Sequence, residues 1–427
     1  MKTWSESFLG FFKPKLLIIL ALGFCSGLPF GMLIDPLSYW LREADISRST
    51  IGLLSWITLM FTFKALWSPF VDRLKLPFLS LLGQRKSWLV LSQSLVVISI
   101  FGMSFSDPTN SLMVLVAFAL SVSFFAATQD ICIDAMRVEL VLDHEQGEAA
   151  SMYQGGWRVA FLVSQVFTFF IASYYDWSAA YFSIGILMGM LVLFSIFIIP
   201  EPKRPDSDLP GIESNPLKSF KNLYLSPLKD LFERYFDNNI LLVFLLIIFY
   251  RFSDIVLGPM AMPFYVDTGF SKEEVAIVTN AFGIAMTMAG VFVGGLLIYR
   301  YNLMSVVFLG ALLVMLTNVA FAWLDTIGHN VSALTVTITL DNFSQGVAST
   351  ALIALLSGLT NRSFTATQYA ALFLLATFPA TIIKGFSGFF VDSFGYFNFF
   401  LYAAALGIPA AVISYVLLKK KFAPSTA

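Results

Sequence analysis

Runs of apolar residues about 20 long, separated by short polar breaks, repeat along nearly the whole 427-residue chain. An α-helix rises about 1.5 Å per residue, so about 20 residues cross the hydrocarbon of a bilayer. Counting such runs predicts helical spans at 16–40, 50–70, 88–105, 111–133, 149–174 and 178–199. A second set falls at 239–265, 273–299, 303–323, 331–358, 367–391 and 397–418. The most polar stretch, rich in Pro, Asp, Lys and Ser, lies between the two sets. The pattern predicts an all-α membrane protein of twelve transmembrane helices: a six-helix half at 1–200, a cytoplasmic inter-half loop at 201–238, and a six-helix half at 239–427. The first apolar run follows Lys13 and Lys15 and is too long for a cleavable signal, so it is read as a retained span.

Composition agrees with lipid as the main solvent. The chain is 58% apolar and 12% charged, where soluble domains are about half apolar and a quarter charged, and its mean hydropathy is +0.79. A net charge of −1 offers nothing to nucleic acid. The two cysteines, Cys25 and Cys132, fall in apolar stretches, and the two histidines, His144 and His329, fall in predicted loops on opposite sides. With no zinc-binding spacing, no phosphate-cradling loop and no histidine inside a span, an enzyme is disfavoured and no metal or cofactor is expected.

The distribution of basic residues predicts orientation. With both termini in the cytoplasm, 19 Lys and Arg fall on inner segments and only Arg42, Arg48 and Lys272 on outer ones, the bias that positively charged inner loops produce. The remaining four lie within spans, beside several acids. A charge at mid-membrane is costly and therefore usually faces a cavity or a partner. Asp35 is in span 1, Lys64 in span 2, Asp130 in span 4, Arg158 in span 5, Arg251 and Asp254 in span 7, Asp341 in span 10 and Lys384 in span 11. Lys64 lies near the inner end of its span, and snorkelling to the interface is its expected role. Arg251 and Asp254, three apart, share a helix face and can pair. Asp341, Asn342 and Gln345 share another and offer acceptors and amide donors. Arg158 follows two glycines and carries a planar fork suited to a carboxylate; a pairing with Asp130 or Asp134 is the alternative.

Two six-helix halves with both termini inside resemble the major facilitator superfamily. That fold places its substrate path between the halves, and the four acids Asp35, Asp130, Asp254 and Asp341 fall on the first helix of each of its four three-helix repeats. The string KALWSPFVDR at 64–73, with Arg85 and Lys86 twelve residues on, resembles the superfamily's inner loop between helices 2 and 3. It is more similar still to the FKFLWSPLxDR of AmpG-like muropeptide permeases. The same family is matched by GFCSGLP at 23–29, ATQDICIDA at 127–135, and EQGEAAS followed by GWRVAFLVS at 145–151 and 156–164. Trp157 stands where that family has Tyr.

The resemblance implies a proton-coupled secondary transporter, working as a monomer in the bacterial inner membrane. Its expected cargo is an anhydro-muropeptide, an N-acetylglucosamine–anhydro-N-acetylmuramyl peptide released by wall turnover. Arg158, Gln129, Arg251, Asn342, Gln345 and Lys384 become candidate substrate-binding residues. Asp35, Asp130, Asp254 and Asp341 become candidate proton carriers, and Asp72, Arg73, Arg85, Lys86, Asp134 and Arg137 a candidate inner gate. Permeases for carboxylate siderophores share this layout and are the alternative reading; another anionic solute, such as an acyl-CoA, is a third.

Overall fold

Within hydrocarbon no water is available to bond a backbone N–H or C=O, so a spanning segment must satisfy both internally. The computed structural model obeys this by being helical throughout its spans. It describes residues 13–68, 71, 76–77, 79–141, 146–202, 239–359 and 365–422. Asp72, Arg73 and positions 203–238 of the inter-half loop lie outside these described residues. Among the described residues, nine helices are long and apolar enough to cross a membrane, with a shorter apolar one at Ala371–Lys384. The helix Val331–Leu359 is also 29 residues long, but Asp341, Asn342, Ser344 and Gln345 interrupt its apolar run. The chain is a multi-pass membrane protein.

In the first half the elements are α1 (Pro14–Leu33), α2 (Asp35–Glu43), α3 (Arg48–Leu54), α4 (Leu59–Phe63), α5 (Gln84–Ser104), α6 (Pro108–Glu139), α7 (Gln146–Tyr174) and α8 (Trp177–Phe197). The second half holds α9 (Ile240–Tyr250), α10 (Phe252–Thr268), α11 (Lys272–Glu274), a π-helix (Val275–Phe282), α12 (Gly283–Arg300), α13 (Leu303–Ile327), α14 (Val331–Leu359), α15 (Thr365–Lys384), α16 (Ser387–Leu406) and α17 (Ile408–Lys419). Starts are written in local chemistry. Asp176 caps α8 by accepting from the Ala179 N–H at 2.6 Å, and Ser271 with Glu274 forms a reciprocal capping box at α11.

Several expected spans are not continuous helices, those at 367–391 and 397–418 being interrupted at 385–386 and at Gly407. The one at 16–40 breaks at Ile34, with φ −97° and ψ −91°, because Pro36 has no N–H for the Met32 carbonyl. The Tyr181 hydroxyl donates to that carbonyl instead, at 3.1 Å. The span at 239–265 breaks at Arg251, between α9 and α10. The span at 50–70 is a chain of short pieces, α3, a 3-10 turn at Ser55–Thr58, α4 and a 3-10 turn at Lys64–Leu66. Thr58 Oγ1 donates to the Ser55 carbonyl at 2.9 Å, a local bond of the kind that competes with the α ladder.

Two compact units result. One gathers most of the first half together with Ser271–Asn280, and the other most of the second half together with Ser47–Leu53. In the first unit Lys272 pairs with Glu43 at 3.0 Å and lies over the Trp177 ring, while Ser173 donates to Glu273. In the second, Arg48 pairs with Asp267 at 2.8 Å and Asp392 at 3.3 Å. Each unit also contains one helix pair packed backbone to backbone. A Cβ on Gly156 of α7 would lie 2.0 Å from the Leu20 carbonyl oxygen of α1, and one on Gly23 of α1 would lie 2.2 Å from that of Tyr153. Gly290 of α12 and Gly346 of α14 approach equally closely. Such small-residue seams replace the hydrophobic effect, which lipid does not supply between helices.

Gly156→Ala is therefore expected to force α1 from α7 and to cost on the order of 1–3 kcal/mol by overpacking. Gly155→Ala, whose nearest neighbour would be Leu20 Cδ1 at 3.9 Å, should leave stability unchanged or slightly raised. Thermal unfolding of both variants in detergent checks the contrast.

Candidate functional site

Spans 1 and 7 occupy corresponding places in the two halves, and each breaks at an ionisable residue. Broken helices in matching positions of a repeated transporter point to its binding region, because half-helix ends present free backbone groups. Asp35 opens α2, where the helix dipole favours a negative charge, and accepts from Gln165 Nε2 at 2.8 Å. Arg251 stands at the α9–α10 break and holds Asp254, with Nη2 at 2.7 Å and Nε at 2.9 Å from Oδ2. The other Asp254 oxygen, Oδ1, is buried with no hydrogen-bond partner among the described residues.

The densest polar cluster of the first unit lies where α1, α6, α7 and the Lys64–Leu66 turn meet. Ser26 Oγ donates to Asp130 Oδ1 at 2.6 Å, and the Tyr153 hydroxyl lies 3.1 Å from Ser26 Oγ. Lys64 Nζ donates to Asp134 Oδ2 at 2.9 Å and stands 3.8 Å from Asp130 Oδ2. The expectation that Lys64 snorkels to the interface is thus corrected: its ammonium is engaged by two acids one helical turn apart on α6. The expected alternative for Arg158, a pairing with either acid, is not what the structure holds either. Arg158 is exposed and, among the described residues, makes no ion pair or side-chain hydrogen bond.

Other candidates are placed as follows. Gln129 is fully buried, and its Nε2 donates to the Cys25 carbonyl of α1 at 2.8 Å. Arg137 lies over the Tyr153 ring at 5.7 Å. Arg85 is buried and pairs with Glu139 at 3.0 Å, while the backbone N–H groups of Arg85 and Lys86 donate to the Glu201 carboxylate at 2.9 and 2.8 Å. In the second unit, Asp341 accepts from Thr317 at 3.2 Å, whereas Asn342 accepts from Thr287 at 2.9 Å. Adjacent residues on α14 thus meet different helices. Gln345 follows one turn beyond Asp341, and half-buried Lys384 ends α15. The structure therefore brings Asp130 together with Asp134, and Arg251 with Asp254.

Sequence reasoning missed Ser26 as the partner of Asp130 and Tyr153 as the neighbour of Ser26, because a serine and a tyrosine in apolar runs carry no charge signal. It also passed over Arg48 and Lys272. Their signal was available: they are two of the three basic residues placed on the side that basic residues avoid, and each holds an ion pair.

Long apolar helices, breaks in the corresponding spans 1 and 7 and paired charges within the spans fit a membrane transporter. The profile of the Major Facilitator Superfamily matches residues 19–383, and the chain belongs to that superfamily. Within it the chain is an AmpG-like transporter. It is 32% identical over 408 residues to the putative transporter AmpG 4 of Rickettsia felis, covering 95% of this chain and 97% of that one. It is 29% identical over 409 residues to the anhydromuropeptide permease of Escherichia coli K12, covering 95% of this chain and 80% of that one. Among solved structures, a bacterial homologue of the human lysosomal transporter Spinster superimposes with a TM-score of 0.70 at 15% identity, covering 96% and 98% of the two chains. A D-xylose–proton symporter gives 0.65 at 14% identity, covering 96% and 98%. At these identities the two structures attest the fold.

Removing one partner of a buried ion pair leaves an uncompensated charge, at a cost of about 3 kcal/mol or more. Arg251→Leu is expected to destabilise the protein by roughly that amount, and Arg251→Leu with Asp254→Leu to recover most of it. Thermal unfolding of the wild type, the two single variants and the double closes the cycle.

Proposed function

We propose that this protein imports anhydro-muropeptides across the bacterial inner membrane together with protons, as a monomer with both termini in the cytoplasm. The observation that carries the reading is similarity to the E. coli anhydromuropeptide permease along 95% of the chain. The chemistry of the first unit agrees with it. A muropeptide is bulky, polar and carboxylate-bearing, and Arg158 is a cation with no partner among the described residues. Its planar fork suits a carboxylate in a way an ammonium does not.

In this reading Arg158 and Lys384 attract the substrate's carboxylates, and Asp130 and Asp254 are the leading proton carriers. Neutralising a buried acid lowers the cost of moving the site through the membrane. Alternating exposure of the site to the two sides completes the cycle.

The test is uptake of labelled N-acetylglucosaminyl-anhydro-muramyl peptide into proteoliposomes, with and without an inward proton gradient. Accumulation driven by the gradient is expected, and its absence from demonstrably folded protein overturns the reading. Arg158→Ala should raise the apparent KM about tenfold or more, the loss of a charged hydrogen bond of roughly 1.5–3 kcal/mol. Arg158→Lys should recover only part of it. Initial rates against substrate concentration give both values.

A further inference from the structure

The cluster around Asp130 has one feature that its counterpart at Arg251 lacks. At Arg251 one cation meets one carboxylate. On α6, Asp130 and Asp134 are one helical turn apart, so both carboxylates lie on one face, and between them stands a single ammonium, that of Lys64. With both acids ionised, the three groups in mutual contact, Lys64, Asp130 and Asp134, carry one net negative charge; Arg137 lies over the Tyr153 ring and makes no ion pair with either acid among the described residues. Like charges that close cannot both remain ionised cheaply in a site of low dielectric.

The distances say which acid is short. Lys64 Nζ makes a hydrogen bond to Asp134 at 2.9 Å, but its 3.8 Å separation from Asp130 Oδ2 is beyond hydrogen-bond range. Asp130 Oδ1 takes the Ser26 hydroxyl, which leaves Oδ2 as the open position. Burial sharpens the difference: the Asp130 side chain is 12% exposed and that of Asp134 is 42% exposed. The backbone beneath Lys64 is irregular, with a 3-10 turn at Lys64–Leu66, Phe63 at φ −86°, ψ 0° and Trp67 at φ −111°, ψ 0°. This irregular turn carries the ammonium.

We infer that Lys64 is a tethered counter-cation that alternates between Asp130 and Asp134, and that Ser26 and Tyr153 position Asp130 to carry the transported proton. Asp134 thereby becomes part of the coupling machinery. The inference rests on the proposed proton-coupled import and deepens it. The balance is simple. A proton from outside binds Asp130 Oδ2, Lys64 stays protonated and withdraws to Asp134, and the cluster passes from one net negative charge to none. Release on the inner side returns Lys64 to both acids. The other titratable groups facing the cluster are Tyr153, within reach of Ser26, and Arg137, over the Tyr153 ring. Tyr153 thus links α7, which carries Arg158, to the proton site on α6 through Ser26 of α1.

Two readouts test this. In proteoliposomes, exchange of labelled for unlabelled muropeptide needs no net proton movement, whereas accumulation against a gradient does. Asp130→Asn leaves Lys64 paired with Asp134, so the variant retains a compensated charge. It should lower gradient-driven accumulation at least tenfold more than it lowers exchange. Lys64→Met should lose accumulation as well, and Lys64→Met with Asp134→Asn should regain it, because the double variant again passes between one net negative charge and none, as the wild type does. Ser26→Ala and Tyr153→Phe should displace the pH profile of accumulation while exchange persists, a shift that a purely packing role does not produce. Gradient-driven accumulation by Asp130→Asn at the wild-type level overturns the inference. Infrared difference spectra between low and high pH, taken without substrate, should lose one component of the carboxyl protonation band in Asp130→Asn and keep that component in Asp134→Asn. A carboxyl band in Asp130→Asn identical to that of wild type overturns the inference regardless of cargo. If the band behaves as expected but wild type fails to take up muropeptide, the cargo assignment fails and the cluster stands.

Discussion

A charged side chain inside a bilayer has no water to screen it, and everything polar in this protein is arranged around that fact. Each of the four in-span acids has found a donor within the bundle: Gln165 for Asp35, Ser26 for Asp130, Arg251 for Asp254 and Thr317 for Asp341. Helices carry these partners because backbone groups in lipid admit no other geometry. Several departures from regular helix fall beside charged or polar groups: the Ile34 break beside Asp35, the break at Arg251, Lys64 in a 3-10 turn, and Asn280, buried in the π-helix with an Nδ2 that has no hydrogen-bond partner among the described residues. Local irregularity of this kind tends to collect at functional sites.

Much of the architecture was legible in the sequence because it depends on length and hydropathy, which are local properties. The pairing of Arg251 with Asp254 was legible for the same reason, being set by three residues of helical spacing. The breaks at Ile34 and in the segment from Arg48 to Leu66 were less so. Pro36 announces the first, but its acceptability depends on Tyr181, 145 positions away in the chain, reaching the Met32 carbonyl. In the second, the Thr58 hydroxyl bonds the Ser55 carbonyl in competition with the ladder, a choice that hydropathy does not record.

Partner identity was the least legible layer. Lys64 was visible as a charge near a span end, yet its acids lie on another helix, and nothing local to Lys64 distinguishes snorkelling from ion pairing. Asn342 and Asp341 were correctly seen as polar neighbours on α14, but a step of one residue turns a side chain by about 100°, enough to direct one to Thr287 and the other to Thr317. Gln129 illustrates the opposite hazard. A glutamine inside a span reads as a ligand for something polar, and its donor is occupied by the carbonyl of Cys25.

The glycine seam between α1 and α7 has a mechanical meaning. With Gly156 against Leu20 and Gly23 against Tyr153 at backbone distance, the two helices have no side-chain cushion to slide on and behave as a single strut. Ser26 rides on one member of that strut, Tyr153 and Arg158 on the other. In the proposed cycle, a carboxylate bound at Arg158 and a proton held at Asp130 beside Ser26 would therefore load the same stiff piece. Their influence on each other needs no relay of small rearrangements, only the shared rigidity of two backbones that a single methyl group would prise apart.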